Sequence, residues 1–138
     1  MGDVVLVHRL PRADELCALR RAVGWHVADV SDVEAALPNS LYGVCVELDG
    51  RCVGCGRVVG DGALVFYVQD VIVHPEHQRK GYGTIIMDAI MEYIDVTARP
   101  TAVIGLCAAS GMERWYSRYG FRARPNERQG AGMTWHKR

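Results

Sequence analysis

The sequence predicts one α/β domain over residues 1–138, in which about four helices flank a mixed central sheet of six to seven strands. The chain length suits a single compact domain. Segments with strand and helix periodicity alternate along it, with no linker, repeat or low-complexity tract between them. The early strands follow one another through tight turns, which is typical of antiparallel pairing. A helix separates the later strands, as a parallel crossover requires.

The first half of the chain predicts a strand, two helices and three further strands. The signals are β-branched runs, apolar residues at helical spacing, a capping-box pattern and an Asp-Gly hairpin turn. They predict a strand at 4–7, a helix from Asp14 to Gly24, a helix opened by the capping box Ser31–Glu34 and ended before Pro38, and strands at 41–48, 52–59 and 64–73.

The second half predicts a long helix, a buried strand, a second helix and a final hairpin. Apolar residues recur at spacings of three and four after Gly81, with acidic residues on the other side, which indicates an amphipathic helix. The remaining segments are a parallel strand at 102–107, a helix opened by the capping box Ser110–Glu113 and ended at Gly120, and hairpin strands at 121–124 and 132–136.

Composition excludes several classes of function. The 16 basic and 16 acidic residues cancel, so no long-range attraction to nucleic acid or to a membrane surface is expected. No apolar run approaches the roughly 20 residues that span a bilayer, and the first residues do not resemble a secretion signal, so a cytoplasmic location is expected.

The five cysteines lie mostly in apolar runs and are expected to be core residues. Cys52 and Cys55 lack a second pair at zinc-ligand spacing, so no metal is expected.

The segment from Asp70 to Thr84 carries the most informative pattern. A strand enters a glycine-bearing turn and then a helix, whose first N–H groups and positive dipole end form an anion site. Gly81 and Gly83 leave those donors accessible, and two cations precede them. The nucleotide P-loop pattern is absent, and the dinucleotide pattern fails because its third glycine is missing. The alternative is that the glycines only permit a tight turn beside solvated charges.

The pattern Gln78-x-x-Gly81-x-Gly83 resembles the pyrophosphate loop of GNAT acetyltransferases. That resemblance implies the GNAT-type acyl-CoA N-acyltransferase fold, with acetyl-CoA as co-substrate. It also implies that the backbone of the preceding strand pairs with the pantetheine arm. The cofactor-binding residues implied in this way are Val71, Ile72, Val73, Gln78, Arg79, Lys80, Gly81, Tyr82, Gly83 and Thr84.

A second resemblance lies at Trp115–Phe121, which is similar to the aromatic-Tyr-x-x-x-Gly-Phe segment late in GNAT enzymes. In that family the tyrosine protonates the departing coenzyme A thiolate, and Tyr116 occupies the matching position. A neutral phenol with a pKa near 10 can hold and deliver such a proton. The alternative is a packing aromatic. One departure is that Cys107–Ser110 lacks the asparagine with which many relatives contact the cofactor.

Candidates on the acceptor side are less specific. Asp70 could accept the proton of the amine through water or hold its ammonium group, as in the similar stretch of glucosamine-6-phosphate N-acetyltransferases, or it could bind backbone N–H groups at a strand bulge. His74 and His77 are expected at the surface, with a role as base as the alternative. Arg57 is expected on the outward face of its strand, and the alternative is that it binds a carboxylate or phosphate group of the acceptor. Trp25 and His26 follow the first helix, where the family builds its acceptor pocket, and Tyr67, Trp115 and Trp135 are weaker candidates.

The resemblance implies an N-acetyltransferase that acts on the primary amine of a small molecule, such as an amino acid, amino sugar or polyamine. Acetylation of a protein, at a lysine or an N-terminus, is the second enzymatic reading. A non-catalytic coenzyme A-binding sensor is the third. Many relatives dimerise through late strands, so a homodimer is a further expectation.

Overall fold

The computed structural model describes residues 2–138, which form a five-stranded sheet and four helices. In chain order the elements are β1 (Val4–Val7), α1 (Ala13–Ala22), α2 (Val30–Ala36), a 3-10 turn (Leu37–Asn39), β2 (Tyr42–Leu48), β3 (Arg51–Gly60), β4 (Val65–Val73), a second 3-10 turn (Pro75–His77), α3 (Tyr82–Thr97), β5 (Val103–Gly105) and α4 (Glu113–Ser117). These residues divide into two compact units, one ending at Leu106 and one covering Cys107–Arg138.

The sheet of the first unit has the order β1-β2-β3-β4-β5. The first four strands are antiparallel neighbours, and β4 and β5 are parallel, as the tight turns and the helical crossover predict. Helix α3 packs against β2, β3 and β4, and α1 packs against β3 and β4. No helix among residues 2–138 is long and apolar enough to cross a membrane.

Alternation along β3 shows that the two helices cover opposite faces of the sheet. Cys55 belongs to the buried cluster that includes Leu16 and Leu19 of α1. Gly54 and Gly56 face α3, and a Cβ at Gly56 would lie 2.7 Å from the Cδ1 atom of Ile90. Glycine at these two positions therefore lets α3 approach the sheet closely.

A β-bulge interrupts the pairing of β3 with β4. Cys55 pairs with Ile72 and Arg57 pairs with Gln69, so Gly56 alone faces both Asp70 and Val71. Asp70 has φ 55°, in the left-handed region. A bulge bends its strand and re-aims the side chains beside it, and here it lies at the segment that the sequence singles out.

Three sequence predictions about elements are wrong. The sheet has five strands and not six to seven, because residues 121–138 contain no strand. Backbone bonds between Asn126 and Gln129 and the bonds of the Asn126 side chain instead close a local turn there. Neither capping box opens its helix, since α2 begins at Val30, before Ser31, and α4 begins at Glu113, after Ser110.

Candidate active site

The loop between β4 and α3 has the geometry of an anion cradle. Gly81 is the residue before the helix and has φ 84°, while Arg79 has φ 64°. Open space surrounds the position that a Cβ would take at Gly81. Glycine is therefore favoured there by the positive backbone angle and not by crowding. The N–H groups of the first turn of α3, at Tyr82, Gly83 and Thr84, precede any helical acceptor and are available to an anion.

Side chains of the loop fix it to the strand or supply charge. The Nε2 atom of Gln78 donates a 3.0 Å hydrogen bond to the Val73 carbonyl, which anchors the loop to the end of β4. Arg79 and Lys80 are exposed beside the first turn of α3. The loop therefore fits a pyrophosphate group by both backbone donors and cations.

The two histidines of this loop are half-buried, not at the surface as predicted. The Nδ1 atom of His74 accepts the Glu76 N–H at 3.1 Å, and the two imidazole rings lie edge to face. The Nδ1 atom of His77 is buried and has no hydrogen-bond partner among the described residues. His74 therefore has a structural role as a cap.

One edge of β4 is open over its second half. Strand β5 pairs only with Val65, Phe66 and Tyr67, and no strand among residues 2–138 pairs with the rest of that edge. The His74 N–H donates to Val53 of β3, so by alternation the backbone groups of Val71 and Val73 lie on the opposite, open edge. Of the three predicted strand residues, Ile72 turns its backbone to β3 and its side chain into the core.

A cavity of about 330 Å³ opens beside the bulge, between α1, α2 and interior residues of β3 and β4. Most of its lining is apolar, and its charged side chains are Arg20, Asp32, Arg57 and Asp70. His26 also lines it, whereas Trp25 packs against the neighbouring core and under the Arg20 guanidinium, 5.4 Å from the ring centre. The acceptor-side candidates Asp70, Arg57 and His26 therefore share one cavity.

Asp70 joins two arginines on the floor of this cavity. Its Oδ1 atom accepts from Nη1 of Arg20 at 2.5 Å, and its Oδ2 atom accepts from Nε of Arg57 at 2.9 Å. The carboxylate side chain is only 3% exposed. The alternative of a bulge aspartate that binds backbone N–H groups is right about the bulge and wrong about the partners, because guanidinium groups occupy both oxygens. The outward orientation expected for Arg57 is also wrong, since it points into the cavity.

Sequence reasoning missed Arg20 as a site residue. A signal for it exists, because Arg20 falls on the apolar face of α1 with Leu16 and Leu19, where a charged side chain needs a buried partner. That partner is 50 positions away on β4. Only the fold brings the two together.

Tyr116 belongs to the second unit, where it lies on α4 in an aromatic cluster. Its ring is 4.9 Å from that of Trp115 and 6.3 Å from that of Phe121, both edge to face. Burial, and then the neighbouring Tyr119, raise the pKa of the Tyr116 phenol above its ordinary value. The phenol is therefore neutral and carries its proton at physiological pH. Trp135, by contrast, is 84% exposed.

The cysteines follow the core prediction with one exception. Cys17, Cys45 and Cys55 are buried free thiols and Cys52 is half-buried, but Cys107 is exposed. Residues 2–138 contain no group of three or more potential ligands that could hold a metal ion.

Comparisons with known proteins agree on one family. The profile of the acetyltransferase (GNAT) domain matches residues 40–123. The chain is 30% identical over 115 residues to the GCN5-related N-acetyltransferase 1, chloroplastic, of Arabidopsis thaliana, covering 82% of this chain and 57% of that relative.

Solved structures show the same fold. A probable acetyltransferase of unknown function from meticillin-resistant Staphylococcus aureus superposes with a TM-score of 0.89 at 32% identity, covering 98% of this chain and 100% of that one. An aminoglycoside N-acetyltransferase in complex with CoA shares the fold at 14% identity, with a TM-score of 0.68, over 100% of this chain and 97% of that one.

Proposed function

Because the chain belongs to the GNAT acetyltransferase family, we propose that it transfers an acetyl group from acetyl-CoA to the primary amine of a small molecule. The amine nitrogen attacks the thioester carbonyl carbon directly. A C–N bond forms, the C–S bond breaks, the nitrogen loses a proton and the sulfur gains one, so the products are an amide and free coenzyme A. No metal takes part in this scheme.

The observation that carries the proposal is the continuity of the open β4 edge with the loop at Gly81. The backbone of Val71 and Val73 offers an extended, amide-bearing ligand the hydrogen bonds of an added strand. A pyrophosphate would then reach the first turn of α3, where backbone N–H groups, Arg79 and Lys80 favour negative charge. A pantetheine arm joined to a pyrophosphate has this order of groups.

The acceptor amine is assigned to the cavity beside the same strand. Asp70 lines this cavity at the bulge, next to Val71 on the open edge. We assign the proton that the nitrogen loses to the Asp70 carboxylate, through a water molecule.

Tyr116 is assigned as the general acid on the strength of the family resemblance and its own chemistry. A thiolate that leaves the thioester needs a proton, and a neutral phenol supplies one. Since burial raises the pKa of Tyr116, the phenol keeps its proton up to and beyond pH 10. The loss of activity that accompanies ionisation of Tyr116 should therefore occur only above that pH.

The test is a thiol-release assay with acetyl-CoA and a panel of amines. Tyr116→Phe should lower kcat about 100-fold, the lower end expected for a general acid, and should abolish the fall in rate above pH 10. Tyr119→Phe is the matched control, because it removes a hydroxyl from another half-buried tyrosine of the same aromatic cluster. Equal rates for Tyr116→Phe and Tyr119→Phe would show that Tyr116 only packs.

The panel also separates the competing functions. Release with one amine class identifies the acceptor. No release with any small amine, together with acetyl-CoA-dependent labelling of proteins in a lysate, would contradict a small acceptor. Binding of acetyl-CoA without transfer to either would contradict catalysis. The cytoplasmic location expected from the sequence stays a prediction.

A further inference from the structure

The cavity floor holds more positive than negative buried charge. Two guanidinium groups, on Arg20 and Arg57, share the single carboxylate of Asp70. Their side chains are 23% and 15% exposed, so both charges are largely removed from water. The other carboxylate of the lining, Asp32, is exposed, and the remaining titratable groups there are His26 and Cys17. The floor therefore has one positive charge that the buried carboxylate does not neutralise.

Each guanidinium also has donors to spare. Arg20 uses Nε for the His26 carbonyl and Nη1 for Asp70, and Arg57 uses Nε for Asp70 and Nη1 for the Ser40 hydroxyl. Among residues 2–138 no acceptor is recorded for the Nη2 atom of either arginine. Neither Nη2 atom is completely buried without a partner. These hydrogen bonds hold the two guanidinium groups in place.

Two oriented guanidinium donors in a small, mostly apolar cavity fit an oxyanion. Carboxylate and phosphate oxygens match the donor geometry of arginine, and such charge-assisted bonds are stronger than those between neutral groups. A cationic acceptor such as a polyamine would instead bring further positive charge to an already positive floor.

We propose that the acceptor is an amine that also carries a carboxylate or phosphate group, and that Arg20 and Arg57 bind this group. This inference rests on the proposed function. Asp70 then has a positioning role in addition to its place beside the amine, because it binds the guanidinium groups of both arginines. The chemical class is that of amino acids and amino phosphates, and uncharged or polycationic amines are excluded.

The first measurement uses the wild-type protein and pairs of acceptors that differ only in the anionic group. Each free amino acid is compared with its α-amide, and phosphoethanolamine with ethanolamine, by kcat/KM in the thiol-release assay. The anionic member should be preferred by about tenfold or more, as expected from a charge-assisted hydrogen bond. The α-amide loses its ammonium proton more readily, so intrinsic reactivity works against this result. The two kinds of pair distinguish a carboxylate from a phosphate.

The second measurement is binding without turnover, by calorimetry on the wild-type protein saturated with coenzyme A. The anionic member of a pair should bind about tenfold or more tightly than its partner. If anionic amines bind selectively but no acetyl group is transferred, the proposed function fails and this inference stands. If neutral amines bind and react as well as anionic ones, this inference fails and the proposed function stands.

The variants Arg57→Gln and Arg20→Gln should each reduce the preference to about threefold or less, mainly through a higher KM for the anionic acceptor. Arg51→Gln is the matched control, since Arg51 lies on the same strand β3 but is exposed and outside the cavity. A folded Arg57→Gln or Arg20→Gln protein with an unchanged preference would overturn the assignment. If both variants fail to fold, the comparison of acceptor pairs with the wild-type protein still decides whether the acceptor needs an anionic group.

Discussion

At the scale of single residues, Asp70 departs from local preference in two ways. It is a non-glycine residue with a left-handed backbone, which costs about 1–2 kcal/mol. It is also an almost completely buried carboxylate, which is tolerated only when paired. Two arginines from different elements provide the pairing. Departures of this kind concentrate at functional sites, because the surrounding structure must hold them in place.

Replacing Asp70 with asparagine keeps the shape and removes the charge. Breaking a buried ion pair in this way should lower the free energy of unfolding by about 3 kcal/mol, measured by urea denaturation. If Asp70 receives the proton of the amine, kcat should fall about 100-fold. Asp88→Asn, at an exposed position of α3, should change neither. A folded Asp70→Asn protein with unchanged kcat would contradict the assignment of Asp70 as base.

At the scale of elements, the loop before α3 depends on a left-handed glycine. Gly81→Ala should cost about 1–2 kcal/mol of stability, because a Cβ is unfavourable at φ 84° even with space around it. The same strain should displace the first N–H groups of α3 and raise the Kd for acetyl-CoA. Thermal unfolding and calorimetry measure the two effects.

The control for that experiment is Gly50→Ala in the β2–β3 turn. Gly50 has φ 76° and equally open surroundings, so the loss of stability should be similar. Its turn is not part of the candidate cofactor loop, so acetyl-CoA binding should be unchanged. Equal affinity for acetyl-CoA in the two variants would contradict the role assigned to the loop.

Most elements could be predicted from the sequence because their signals are local. The spacing of Ile86, Ile90 and Ile94 predicts the buried face of α3, and all three are buried. The Asp49–Gly50 turn likewise predicts the β2–β3 hairpin, which forms. The final hairpin did not follow from local signals, because residues 121–138 form a local turn at Asn126–Gln129 and contain no strand.

The site was only partly predictable, because its decisive contacts join distant residues. The glycines of the β4–α3 loop act through their own backbone and can be recognised by spacing. A bulge at Asp70 was only one alternative from the sequence, because a register shift between two strands has no spacing pattern of its own. Arg57 and Arg20 reach Asp70 from 13 and 50 positions away. Such pairs are known only once the fold is known.

At the scale of the whole molecule, the net charge of the chain and the local charge of the cavity predict different preferences for a charged ligand. The formal net charge is zero, which indicates no preference for a charged partner. The cavity floor nevertheless carries two buried guanidinium groups against one buried carboxylate. A balanced composition therefore excludes long-range steering and leaves the selectivity of an enclosed site open.

The central claim is that acetyl-CoA binds along the open edge of β4 and over the first turn of α3. The most direct measurement is a titration of the 15.3 kDa protein with acetyl-CoA, followed by backbone amide chemical shifts. We predict that the largest changes lie at Val71, at Val73 and from Gly81 to Thr84, with the Asp49–Gly50 turn unchanged. Pantetheine alone should shift the strand amides, and inorganic pyrophosphate the loop amides. No change at saturating acetyl-CoA, or the largest changes outside β4 and the loop, would contradict the claim.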